Sequence, residues 1–73
     1  MSEYSGSSLL GESDLQRIRA GMLRKGFAEP DFSAREMWSI DDLATTLMVQ
    51  YGGTNSHEEM KRAIYDILNR NVK

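Results

Sequence analysis

Cysteine is absent from these 73 residues, which removes disulfides, thiolate nucleophiles and Cys-based zinc sites together. The chain holds a single histidine, His57, so no second imidazole exists to complete a metal site or a proton relay. Apolar runs stop at two or three residues, whereas a membrane span needs about 20. The opening Met-Ser-Glu-Tyr-Ser-Gly-Ser-Ser has neither the basic region nor the apolar stretch of a secretory leader. No membrane association and a cytoplasmic location are therefore expected. Positive charge is also in short supply: the formal net charge is −2, which argues against a surface tuned as a whole for nucleic acid. A chain this short without covalent staples has to rely on helix packing.

What is present is a set of helix openings. A serine is followed three residues later by Glu, Gln or Asp at Ser13–Gln16, Ser33–Glu36, Ser39–Asp42 and Ser56–Glu59. In such a capping box the hydroxyl and the acidic or amide side chain satisfy unpaired N–H groups of the first turn. Two of the boxes carry a hydrophobic staple, Phe32 with Met37 and Trp38 with Leu43.

Residues 1–12, rich in Ser and Gly and without periodicity, read as a flexible tail. Leu9-Leu10 interrupts it, and either folds back on the first helix or orders on a partner. Leu15, Ile18, Met22 and Leu23 give a helix over 14–25 with one apolar face. Gly26 suits its left-handed end, with Phe27 closing back on Met22. Gly21 inside this helix calls for a close helix–helix approach. Glu29-Pro30-Asp31 breaks the helical run. Beyond it, either a short helix restarts at Ser39 or one bent helix runs from Ser33. The stripe Ile40, Leu43, Ala44, Leu47, Met48, Tyr51 favours helix over 39–51 against the β-branched signal of Thr45–Tyr51. Gly52-Gly53 ends it. A third helix over 57–70 turns Met60, Ala63, Ile64, Ile67 and Leu68 inward, and Glu58, Glu59, Arg62, Asp66 and Arg70 lace its outer face.

The expected fold is all-α: a small three-helix bundle over 13–73 with an extra helical turn near 34–38, following the flexible N-terminal tail. Its core is expected to hold Leu15, Ile18, Met22, Ile40, Leu43, Leu47, Met60, Ile64, Ile67 and Leu68.

Chemistry finds little purchase. His57 falls at the first helical position after a cap. The adjacent pairs Asp41-Asp42 and Glu58-Glu59 point in different directions on a helix, so neither makes a shared acid/base site. Gly52-Gly53 lacks the strand and lysine of a phosphate loop. No enzyme, cofactor or metal is expected. A helix-turn-helix DNA reader would present His57, Glu58 and Glu59 to the bases, and carboxylates beside phosphates repel. That reading, as a repressor or accessory protein, is the alternative.

Protein–protein recognition is the leading reading. Arg17, Arg19, Arg24 and Lys25 lie in a stretch, 15–25, that has no acid, while Glu29, Asp31, Glu36, Asp41 and Asp42 face only Arg35 over 29–42. Segregated charge steers docking, and five methionines supply deformable apolar surface. The partner-binding candidates are Leu9, Leu10, Arg17, Arg24, Phe27, Phe32 and Trp38.

In length and general character the whole chain resembles the small phage-encoded regulators that bind a host bacterial RNA polymerase. Those are also single-domain, cysteine-free and non-catalytic, with a flexible end. The resemblance implies a monomer in the bacterial host cytoplasm that occupies a polymerase surface, blocking initiation or allowing read-through of terminators. It assigns no role to any residue by position.

Overall fold

The computed structural model describes residues 7–70. Five elements follow one another: β1 (Leu9–Leu10), α1 (Glu12–Arg24), β2 (Trp38–Ser39), α2 (Ile40–Gln50) and α3 (His57–Arg70). Three helices were expected. The two-stranded antiparallel ribbon, in which Leu9 pairs with Ser39 and Leu10 with Trp38, was not. It corrects the all-α reading, and of the two alternatives for Leu9-Leu10 it gives the one that folds back onto the first helix, while 1–6 lie outside the described residues. The reason is burial: Leu10 and Trp38 both point into the core, 4% and 1% exposed, and pairing satisfies the backbone between them.

α1 begins earlier than the Ser13 box implies. Gly11, extended at φ −87° and ψ 178°, is the N-cap, and its N–H donates to Asp14 Oδ2 at 3.3 Å. Glu12 and Asp14 in the first turn suit the positive end of the helix dipole. The other end matches expectation. Gly26 N–H donates to Leu23 O and Phe27 N–H to Met22 O, at 3.0 and 2.9 Å, with Gly26 at φ 96°, a Schellman closure. Gly52 and Gly53 close α2 in the same way through Val49 O and Met48 O, at 3.1 and 2.8 Å.

The helical turn expected near 34–38 does not form. Asp31 Oδ1 takes the Ser33 N–H at 2.9 Å, so the Ser33 box makes a side-chain turn instead of a cap. Met37 is 59% exposed, and the Phe32–Met37 staple is not made. The remaining choice resolves to a helix that restarts at Ser39, whose Oγ accepts from Asp42 N–H at 3.2 Å. The fourth box is complete: Glu59 N–H donates to Ser56 Oγ at 3.1 Å, and Ser56 N–H to Glu59 Oε1 at 2.9 Å.

α3 packs against both other helices. At Gly21 an added Cβ would lie 2.6 Å from the Ile67 side chain, which is the close approach that this glycine called for. Nine of the ten expected core residues are buried, and Leu15 packs half-buried at the edge. Leu10, Phe32, Trp38 and Ala44 join them. The connection between α1 and β2 is stitched down by side chains acting as backbone. Gln50 accepts from Asp31 N–H and donates to Asp31 O, at 3.0 and 2.7 Å, and the Tyr51 hydroxyl donates to Ala28 O at 2.8 Å.

Candidate interaction surface

The seven partner-binding candidates do not form one surface. Leu10, Phe32 and Trp38 are 4%, 8% and 1% exposed and belong to the core, which corrects their assignment to a surface. Trp38 donates its indole N–H to Phe32 O at 3.2 Å, and the two rings meet edge to face with centroids 6.3 Å apart. Period-two alternation explains this: once 38–39 is a strand, Trp38 points inward and its neighbours outward. Phe27 is half-buried, stacked on Tyr51 at 4.9 Å. Burial raises the Tyr51 hydroxyl above the usual tyrosine range. Arg17 pairs with Asp14 of its own helix. Arg24 is exposed on α1, without an ion pair among the described residues. Leu9 remains, 62% exposed on the ribbon.

Charge that is segregated along the chain is largely paired in space. Arg19 Nε lies 3.6 Å from Glu29 and its guanidinium covers the Phe32 ring at 5.4 Å. Lys25 reaches Asp66 at 3.0 Å, Arg35 reaches Asp42 at 3.2 Å and Lys61 reaches Asp41 at 3.2 Å. The Lys25 ammonium, hydrogen-bonded to Asp66, holds that carboxyl below the usual aspartate range. Asp41 likewise raises the Lys61 ammonium. Of the lacing expected on α3, Asp66–Arg70 forms at 3.4 Å, whereas Glu59 is taken by its cap and Asp66 is shared with Lys25.

The described residues also form open clefts. An open cleft of about 490 Å³ separates the closing turns of α1 and α2, floored by Phe27 and Tyr51. A second, between α1 and α3, is lined by the Lys25–Asp66 pair with Glu59, Arg62 and Ala63. The start of α3 is engaged rather than displayed: His57 Nε2 lies 3.2 Å from Asp41 O and Glu59 caps the helix. Among the described residues no three His, Asp or Glu side chains gather to hold a metal. No helix among them is long and apolar enough to cross a membrane.

The ribbon carries what sequence reasoning missed. Leu9 and Ser39 lie on the face opposite Leu10 and Trp38, and Met37 comes immediately before β2. Leu9 and Met37 are 62% and 59% exposed. Val49 and Leu23 are exposed singly on the outer sides of α2 and α1. The sequence reads Met37 as a staple partner of Phe32, and its exposure overturns that reading. No protein-family model, curated protein or solved structure matches the chain.

Proposed function

We propose that this protein is a non-enzymatic regulator that docks on a larger protein assembly, with bacterial RNA polymerase as the partner. The observation that carries docking is the ribbon, where Leu9 stays exposed, with exposed Met37 just before β2, although the same ribbon buries Leu10 and Trp38. Large apolar side chains left exposed on and beside a backbone-paired element are the kind of surface that a protein partner covers. Electrostatics supports a protein over a duplex. The start of α3, which a helix-turn-helix would insert in a groove, carries Glu58 and Glu59, and most of the cationic side chains of α1 already have acidic partners. The choice of polymerase comes from the chain's general character and from no residue.

The test mixes the purified chain with bacterial RNA polymerase core and holoenzyme. It reads complex formation by native mass spectrometry, and promoter-dependent initiation and terminator read-through by transcription assay. A complex that changes either output, and that Leu9→Ser with Met37→Ser weakens at least tenfold, is the expected result. Titration with duplex DNA at several salt concentrations is the control. Tight binding that falls steeply with salt and selects sequence would instead establish a DNA reader.

A further inference from the structure

We propose that the outer face of the ribbon, together with the edge of β1 that no other described strand covers, receives a short extended segment of the partner protein, aliphatic along its length and carrying lysine or arginine at one end. This rests on the docking function above and specifies the chemistry of what docks.

Backbone geometry supplies the edge. Antiparallel ladders alternate between residue pairs that exchange both hydrogen bonds and pairs that exchange none. Ile40 N–H donates to Ser8 O at 3.2 Å, so the Leu10–Trp38 pair is of the bonded kind and the Leu9–Ser39 pair between them is not. The N–H and C=O of Leu9 therefore point away from β2. An edge of that kind adds another strand, with main-chain bonds giving affinity and alternate side chains giving specificity. On the outer face, alternate side chains of an added strand meet Leu9, the exposed residue of β1.

Charge chooses the segment. Antiparallel pairing brings the residues that follow β1 to the same end of the ribbon as the residues that precede β2, so Glu12 and Glu36 share one end. Both are exposed, and neither forms an ion pair among the described residues. Arg35 beside them is already engaged, 3.2 Å from Asp42 and with its guanidinium 5.5 Å from the centre of the Trp38 ring. Two uncommitted carboxylates at the end of an aliphatic strip attract a cationic end and repel an acidic one.

The test titrates the isotope-labelled full chain with acetyl-Lys-Lys-Val-Thr-Val-Thr-amide and with its twin bearing two glutamates in place of the lysines, reading amide chemical shifts. The lysine peptide should move Leu9, Met37 and Ser39, and the glutamate peptide should leave them still. Glu12→Gln with Glu36→Gln should weaken the lysine peptide about fivefold, and Leu9→Ser with Met37→Ser should abolish its binding while the helical circular dichroism stays unchanged. Equal response to both peptides, shifts mapped away from the ribbon, self-association at the ribbon without peptide preference, or no response at millimolar peptide would overturn the inference. Polymerase binding is measured in parallel. Retained polymerase binding with a silent ribbon overturns the ribbon site and leaves the docking function standing on another surface. A responsive ribbon without polymerase binding supports the site and removes polymerase as the partner.

Discussion

Single side chains decide where this small fold has no slack. Gly21 meets Ile67 so closely that Gly21→Ala should destabilise the protein by about 1–3 kcal/mol, although alanine is the better helix former. A urea melt would check it, and a neutral or stabilising result would mean that the two helices can move apart. Trp38 is held by burial and by its bond to Phe32 O. Trp38→Phe keeps an aromatic ring but leaves that carbonyl unpaired, at a cost of about 1–3 kcal/mol. The identity of such residues was readable in advance only in part. Ile18, Met22, Leu43, Leu47, Ile64 and Leu68 follow helical periodicity and were legible. Trp38 and Leu10 lie outside any helix, and their burial depends on a pairing between distant segments that no local pattern encodes.

At the level of elements, the serine boxes divide according to what their amides find. Ser56→Ala should cost about 1 kcal/mol, within the usual range for a lost cap, because Ser56 and Glu59 satisfy each other. Ser13→Ala should change stability by less than about 0.5 kcal/mol, because Gly11 and Asp14 already open α1. Parallel thermal melts of the two variants would separate them, and equal losses would place the cap at Ser13 after all. The same competition explains why 34–38 is not helical. A side chain two residues upstream reached the Ser33 amide first, and a motif read three residues forward does not register that rival. Helix ends marked by glycine were fully legible, since Gly26 and Gly52 adopt the positive φ that other residues avoid. The candidate surface was the least legible part. Of the residues chosen for it, Leu9 alone lies on the ribbon's outer face, and Met37 reads in the sequence as a staple partner of Phe32.

For the whole molecule, stability should form a plateau with a slope at each end. Asp66 and Asp31 have carboxyls held low by hydrogen bonds from Lys25 and from Ser33 respectively. Their stabilisation is complete above the unfolded carboxylate value and is lost as pH falls through the lowered folded one. Lys61 is raised by the hydrogen bond with Asp41, and Tyr51 by burial. Their stabilisation is complete below the unfolded values and is lost as pH rises through the raised ones. Thermal melts across pH should show both slopes. Asp66→Asn should shallow the acid one, and an unchanged acid limb would remove the Lys25–Asp66 pair from the account. In the same melts Leu9→Ser and Met37→Ser should leave the plateau unchanged to within about 0.5 kcal/mol, as exposed positions do.

The ribbon also has a bearing on time. Its rungs join Leu9 and Leu10 to residues at the middle of the chain, whereas α2 and α3 are consecutive and meet across a short turn. Closing a long loop for two rungs is entropically dear compared with zipping neighbouring helices. The α2–α3 hairpin should therefore gather first and the ribbon last, so that in native-state hydrogen exchange the amides of Leu10 and Trp38 open at lower free energy than those of Leu47 and Ile64.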